Sequence, residues 1–244
     1  MSEFIKLEKR GDGTFITITR ADHGGRISDP MATELTAMID DAAVGSRYIV
    51  YRSEGEDFCV GRDPAGKEPG KPLDAMDFRR RSEVVFDFYD AFRRSPVPVI
   101  CAVQGRALGF GCAVAAVCDI TIAAESATFA LPEMAHDIMP TMAMSALTDR
   151  VGRKGVLYLT YTMEEIDAAT ALAYGLISRV VPDGELDAQV DFVCGALAKA
   201  QMPAVHAVKE FANNALSMTP SQATDFAKNM HAAVNSARGM IGNK

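Results

Sequence analysis

The pattern of apolar and polar residues predicts β-strands in the first half of the chain. Residues 4–8 and 14–19 alternate apolar with polar side chains around Gly11-Asp12-Gly13, as the two strands of a hairpin do. Residues 47–52 and 99–103 are short, largely apolar runs typical of buried strands. Two further strands follow from the same reasoning, over residues 119–124 and 177–181.

Helical periodicity fills the segments between these strands. Asp29-Pro30 places proline at the start of a segment whose apolar residues recur at helical spacing. We expect further helices over residues 75–92 and 111–117, and an entirely helical segment from about residue 185. Residues 54–72 are rich in glycine, proline and charge, which predicts a long loop of the kind that often carries function.

Strands separated by helices indicate an α/β fold with largely parallel strand pairing. No internal repeat or linker divides the sequence. We therefore expect one core over residues 1–190 and a helical C-terminal segment over residues 191–244.

Composition is that of an ordinary globular protein, with 48% hydrophobic and 23% charged residues. The net charge of −7 disfavours a nucleic-acid-binding role, because such proteins normally carry a basic face. Two arginine runs, at residues 79–81 and 93–94, are interpreted as the solvated faces of a helix.

The five cysteines form no C-x-x-C pair and no zinc-ligand pattern, so we expect free buried thiols and no metal site. Their odd number and the absence of an apolar leader at the N-terminus predict a reducing, cytoplasmic location. No run of about 18 apolar residues occurs, so no membrane association is expected.

Residues 104–113 carry the first candidate chemistry. Here a strand leads through glycines into a helix, so free backbone N–H groups at a helix N-terminus could bind an anion or oxyanion. A purely structural role for these glycines is about equally plausible from this segment alone. The spacing of Gly105, Gly109 and Gly111 fits neither a phosphate-binding P-loop nor a dinucleotide fingerprint.

Several motifs in order resemble the enoyl-CoA hydratase/isomerase (crotonase) superfamily. They read FCVGRD, AVQGRALGFGCA, CDITIAAESATFALPE, RVGRKGVLYL and DAATALAYGLISRVV, from residue 58 to residue 181. The resemblance implies a spiral of βαβ repeats with a C-terminal helical trimerisation region. It also implies an acyl-CoA substrate, no cofactor apart from the coenzyme A of that substrate, and a homotrimer or dimer of trimers.

The resemblance assigns roles to individual residues. The backbone N–H groups of Arg62 and Phe110 would form an oxyanion hole, and Glu133 would be the catalytic acid and base. Phe110 stands where the family usually has glycine, but any residue except proline keeps the N–H. The benzyl group suggests a reshaped acyl pocket. Further substrate contacts are expected from Gly61, Asp63, Gly109, Gly111 and Thr141.

Ala113 occupies the position of the first of two glutamates that hydratases of this family use. With Glu133 alone, an isomerase-like proton transfer on an enolate is favoured, because a water molecule can no longer be positioned between two glutamates. The alternatives are a true enoyl-CoA hydratase and a non-catalytic acyl-CoA-binding protein. His136 and Asp137 could share a helical face with Glu133 or be surface residues.

Coenzyme A contacts are less defined by the sequence. Lys67 and Lys71 are candidate phosphate contacts on the long loop, although solvated loop lysines are the default. The F-x-x-K-R-x-P tail that often lines the CoA site in the family is not found before Lys244.

Overall fold

A computed structural model of the chain describes residues 3–63 and 74–237, and all structural statements refer to these residues. The strands are β1 Ile5–Arg10, β2 Gly13–Ile18, β3 Ile27–Ser28, β4 Tyr48–Ser53, β5 Arg62–Asp63, β6 Val99–Val103, β7 Arg106–Leu108, β8 Ile120–Ala124, β9 Thr128–Ala130, β10 Ile166–Asp167 and β11 Arg179–Val181. The α-helices are α1 Asp29–Val44, α2 Ala75–Arg94, α3 Phe110–Val117, α4 Thr141–Leu147, α5 Arg153–Thr162, α6 Ala168–Ala173, α7 Leu186–Lys199, α8 Met202–Ala215 and α9 Pro220–Asn235.

A six-stranded sheet in the order β1-β2-β4-β6-β8-β11 forms the centre of the molecule. The β1–β2 hairpin pairs antiparallel, and every other pair in this sheet is parallel. The predicted α/β class with largely parallel pairing is therefore confirmed, and the helices between the strands are the crossovers that such pairing requires.

Both faces of this sheet are covered. On one face, α1 and α2 pack against it through residues such as Leu35, Ile39 and Phe92, which are fully buried. On the other face, α7 places Val190 and Cys194 against strand residues. As a result every residue of β2 is buried, including its threonines. Its alternating sequence is typical of a strand that has one solvent-exposed face.

A second sheet, in the order β10-β9-β7, was not predicted. A glycine turn was expected directly between β6 and the following helix, whereas the structure inserts β7 between them. β7 pairs in parallel with β9, and an isolated bridge joins Cys59 to Ala107 beside it. These non-local pairings hold the loop before β5 alongside the entry to α3.

Helices α7, α8 and α9 make up the described part of the C-terminal segment, which is helical as expected. Lys209 on α8 is buried and donates hydrogen bonds to the carbonyls of Phe92 and Val97 and to the Asp119 carboxylate, at 2.8, 3.1 and 2.7 Å. This contact fixes α8 to the end of α2 and the start of β8. The division into two domains near residue 190 stays a prediction.

All five cysteines are buried and free, as the apolar runs around them predicted. Arginines 79–81 lie on the exposed side of α2. Among the described residues, no helix is long and apolar enough to cross a membrane.

Candidate active site

Two chain segments run side by side at the centre of the candidate site. The N–H of Cys59 donates to the carbonyl of Arg106 at 3.1 Å, and the N–H of Leu108 donates to the carbonyl of Cys59 at 2.9 Å. The segments therefore advance in parallel, with Arg62 three residues after Cys59 and Phe110 two residues after Leu108. This pairing brings the two expected oxyanion donors into the same region.

The orientation of the Arg62 N–H follows from strand pairing. The carbonyl of Gly61 accepts a hydrogen bond from the N–H of Ile27 on β3, at 3.3 Å. No described peptide bond is cis, and in a trans peptide the N–H points opposite to the carbonyl. The N–H of Arg62 therefore points away from β3, and both Gly61 and Arg62 line the cavity described below.

The N–H of Phe110 is free for a different reason. Phe110 is the first residue of α3, where backbone N–H groups have no acceptor within the helix. The preceding carbonyl, of Gly109, accepts from the N–H of Ala113 at 3.0 Å, so it points along the helix and the Phe110 N–H points outward. The partial positive charge of the helix N-terminus adds to the attraction for an oxyanion.

Glycines lie on both sides of Phe110, because a Cβ at either position would clash and because Gly109 has a positive φ. Gly109 has φ 53°, and a Cβ there would lie 2.9 Å from Oε1 of Glu133. A Cβ on Gly111 would lie 2.1 Å from the carbonyl oxygen of Cys59. Gly109 therefore lets the carboxylate approach the start of α3, whereas Gly111 lets α3 approach the neighbouring segment.

Glu133 is positioned by β9 and by the short 3-10 helix Glu133–His136. Its Oε2 is buried and has no hydrogen-bond partner within residues 3–63 and 74–237. Burial raises the pKa of Glu133, and a hydrogen bond from its own backbone N–H and the proximity of His136 oppose that rise. An unpaired, desolvated carboxylate is a strong proton acceptor once ionised.

Glu133, Arg62 and Phe110 all line one cavity of about 390 Å³. Most of its remaining wall is apolar or aromatic. The other lining residues are Arg26, Val60, Gly61, Val85, Tyr89, Leu108, Gly109, Pro132, His136, Ile138, Met139, Pro140, Met142 and Ala143. The cavity is therefore an apolar chamber with a few polar groups, as ligand sites usually are.

The Phe110 ring packs against α2 beside this cavity. It stacks on Phe88 at 5.5 Å between centroids, with an interplanar angle of 2°, and lies 5.5 Å from the tilted ring of Tyr89. Both partners belong to α2. This helix therefore holds the Phe110 ring, at the position where the family resemblance predicts glycine.

Other expected site residues lie outside the cavity lining. The Asp63 carboxylate accepts a hydrogen bond from Arg20 at 2.7 Å, and Thr141 is exposed at the start of α4. Gly111 does not line the cavity, and its role is to let α3 pack closely against the segment around Cys59. The Arg62 guanidinium is bound by both carboxylate oxygens of Asp29, each at 2.6 Å, which holds its side chain on α1.

Of the two alternatives for His136 and Asp137, a helical face shared with Glu133 or surface and cap positions, Asp137 takes the second. The 3-10 helix ends at His136, and Asp137 adopts a left-handed conformation with φ 57° that reverses the chain. His136 lines the cavity with Glu133, whereas Asp137 is exposed. Ala113 is fully buried in the core, and Lys67 and Lys71 lie outside the described residues.

A polar cleft of about 570 Å³ adjoins the cavity and shares Arg26 and Val60 with it. Its other lining residues are Ala21, Asp22, His23, Gly24, Gly55, Glu56, Asp57 and Arg106. The sequence motifs assign no role to Arg26 or to Tyr89. Tyr89 lies on the same helical stripe as Val85, Phe88 and Phe92, which explains why it reads as a core residue.

Comparison with known proteins identifies the family of the chain. The family model described as enoyl-CoA hydratase/isomerase matches residues 13–241. A crotonyl-CoA hydratase of Syntrophomonas wolfei is 33% identical over 219 residues, covering 88% of this chain and 83% of the relative. The human mitochondrial enoyl-CoA hydratase domain-containing protein 3 is 34% identical over 161 residues, which cover 65% of this chain and 52% of that protein.

A solved structure shows the same fold. A Thermobifida fusca protein provisionally assigned as an enoyl-CoA hydratase, solved in complex with CoA, superposes with a TM-score of 0.83 at 29% identity. The match covers 94% of this chain and 92% of the other. The crotonase fold expected from the motifs is thus confirmed, and the chain belongs to the enoyl-CoA hydratase/isomerase family of enzymes.

Proposed function

We propose that the protein forms the enolate of an acyl-CoA thioester and moves a proton between its α and γ carbons. The thioester oxygen accepts hydrogen bonds from the N–H groups of Arg62 and Phe110. Glu133 removes a proton from the α carbon, and the resulting dienolate is reprotonated at the γ carbon by the same carboxyl group. Double-bond migration between 3-enoyl and 2-enoyl thioesters is the reaction that this sequence of steps describes.

One observation carries this proposal. Glu133, whose Oε2 has no hydrogen-bond partner among the described residues, lines the same apolar cavity as Arg62 and Phe110, whose backbone N–H groups point away from β3 and out of the start of α3. Negative charge develops on the thioester oxygen during proton removal, and such donors then bind more strongly than in the ground state. These features also favour catalysis over a non-catalytic binding role.

Ala113 supports single-carboxylate chemistry over hydration. Its methyl group is buried in the core, so no second carboxylate enters the cavity from this turn of α3. One carboxyl group is sufficient to shuttle a proton between two carbons of the same substrate.

The adjoining polar cleft supports coenzyme A as the carrier of the acyl group. It has about 570 Å³ of space and is lined by Arg26 and by Arg106, whose guanidinium also donates to the Asp57 carboxylate at 2.9 and 2.8 Å. Arginine side chains suit phosphate recognition through charge and paired N–H donors. The similar Thermobifida fusca protein was solved in complex with CoA, which supports CoA as the carrier.

Two assays on defined thioesters test the reaction. With 3-hexenoyl-CoA we expect conversion to 2-hexenoyl-CoA, followed as a gain of absorbance of the conjugated thioester. With crotonyl-CoA we expect much slower loss of that absorbance by water addition. Robust hydration without isomerisation would contradict the proposal and favour a true hydratase.

The rate of proton removal should depend on the ionisation of Glu133. The base must be deprotonated, so the rate is expected to rise with pH and to level off above the pKa of Glu133. Since burial raises that pKa, the midpoint should lie above the usual range of a glutamate. A pH–rate profile of kcat/KM measures it, and a midpoint within or below the usual range would contradict the assignment.

Assembly and location stay proposals. The family resemblance implies a homotrimer or a dimer of trimers, and exposed apolar side chains on the C-terminal helices, such as Val208 and Leu216, support burial between copies. A cytoplasmic location remains the expectation from the cysteines, although the human relative is named as mitochondrial.

A further inference from the structure

Strand β5, which carries the N–H of Arg62, is held by little backbone structure. It has two residues and pairs with β3 in a two-stranded sheet, where Ile27 lies opposite Arg62 and Ser28 lies opposite Asp63. The hydrogen bond from the N–H of Ile27 to the carbonyl of Gly61 is 3.3 Å long, which is longer than is usual for this type of bond. Backbone pairing therefore constrains the direction of the Arg62 N–H only weakly.

The peptide bond between Gly61 and Arg62 has further freedom to rotate. Gly61 has φ 131°, in a region that glycine enters readily and that other residues avoid. Rotation of this peptide would turn the Arg62 N–H away from the cavity. A donor that is preorganised for an oxyanion therefore needs another contact to fix its direction.

The side chain of Arg62 makes such a contact with Asp29. Its Nε and Nη2 donate to Oδ1 and Oδ2 of the carboxylate, both at 2.6 Å. Two parallel bonds between planar groups define an orientation as well as a distance. Asp29 begins α1 directly after β3, and the partial positive charge of the helix N-terminus also stabilises a carboxylate there.

This ion pair contributes more to orientation than to stability. The side chains of Arg62 and Asp29 are 28% and 31% exposed, and ion pairs that are open to water add little to the free energy of unfolding. The rate of a reaction, in contrast, falls steeply when a group that stabilises the transition state is slightly misplaced. The effect of the pair should therefore appear in turnover.

We propose that Asp29 is a positioning residue, which binds the Arg62 side chain and thereby keeps the Arg62 backbone N–H directed at the thioester oxygen. Asp29 is not among the described residues that line the cavity, so it acts through Arg62 and not on the substrate. This inference rests on the proposed function, because it needs the thioester oxygen to be bound by the Arg62 N–H.

The test compares Asp29→Asn, Arg62→Ala and the double variant with the wild-type protein. Asparagine keeps the size of aspartate without its charge, and Arg62→Ala keeps the backbone N–H. Asp40→Asn is the matched control, because Asp40 lies on the same helix and binds Arg94 of α2 through both carboxylate oxygens, at 2.9 and 2.6 Å. Asp40 also lies outside the cavity lining.

The first measurement is the exchange of substrate α protons in D₂O. We expect Asp29→Asn and Arg62→Ala each to lower kcat for exchange about ten- to hundredfold, with little change in KM. The double variant should lose no more than either single variant, since all three break the same contact. Asp40→Asn should exchange at the wild-type rate. Opposite effects of Asp29→Asn and Arg62→Ala would overturn the proposal, because they would show that the Arg62 charge acts directly on the reaction.

The second measurement does not depend on turnover. Butyryl-CoA labelled with carbon-13 at the thioester carbonyl is bound to each protein, and the carbonyl signal is recorded by NMR. Hydrogen bonds to the thioester oxygen polarise the carbonyl and move this signal downfield. We expect a downfield shift with the wild-type protein and Asp40→Asn, and a smaller shift with Asp29→Asn and Arg62→Ala.

A shift in Asp29→Asn equal to that of the wild-type protein would overturn the positioning role. The absence of any shift in the wild-type protein would contradict binding of the thioester oxygen at the Arg62 N–H, and with it the role of Asp29. Failure of the proposed function is a separate result. A wild-type shift without exchange of α protons would contradict the enolate chemistry and leave the positioning role of Asp29 standing.

Discussion

Replacement of Glu133 with glutamine is expected to lower the rate of α-proton exchange in acyl-CoA thioesters by about 10³-fold. The amide has nearly the same size as the carboxylate, so the cavity wall is kept while the proton acceptor is lost. Exchange is measured by NMR as the replacement of α protons by deuterium. Binding of the thioester should change little, because the N–H groups of Arg62 and Phe110 remain.

Glu125→Gln is the matched control, since Glu125 is exposed on the turn after β8, away from the cavity. It should exchange α protons at the wild-type rate. If Glu133→Gln retained more than about a tenth of the wild-type rate, another group would have to be the base.

Replacement of Phe110 by proline is expected to reduce turnover about 10²- to 10³-fold below that of Phe110→Ala. Both variants lose the aromatic ring that stacks on Phe88, but only proline lacks the backbone N–H. Proline is favoured at the first position of a helix, and Phe110 is the first residue of α3, so the backbone can accept it. The difference in kcat/KM between the two variants therefore isolates the hydrogen bond.

Circular dichroism of both variants controls for folding, since each removes the same packing. Equal turnover of Phe110→Pro and Phe110→Ala would show that the N–H at this position does not stabilise the transition state. The oxyanion hole would then need a different second donor.

Local sequence signals were sufficient to predict much of the fold. Asp29-Pro30 begins α1 as proposed, and the apolar run at residues 99–103 forms β6 with the predicted bounds. β7 and β9 were missed because each has three residues and is defined only by pairing with a distant segment. Such short strands carry no periodicity of their own.

In the candidate site too, some features were predicted from the sequence and others were not. The sequence motifs predicted the positions of Gly61, Gly109 and Glu133, which line one cavity in the structure. They did not predict that the short helix after Glu133 ends at His136. A single 3-10 turn and the first turn of an α-helix cannot be told apart from so few residues. The role of Asp63 as a substrate contact stays a prediction, and its carboxylate is paired with Arg20.

Tyr89 illustrates what sequence alone leaves hidden. On α2 it continues a buried stripe that includes Phe88 and Phe92, so its spacing indicates a core residue. Only the packed structure shows that Tyr89 also lines the cavity. Which buried residues border a cavity is decided by tertiary packing, and no local pattern reports it.

Two backbone N–H groups and Glu133 together are proposed to generate an enolate from a bound thioester. This is tested by the exchange of α protons when the wild-type protein is incubated with butyryl-CoA and longer acyl-CoA thioesters in D₂O. We expect at least one saturated thioester to take up deuterium at its α carbon and at no other carbon, well above the rate without protein. Tight binding of these thioesters with no deuterium at the α carbon would contradict it.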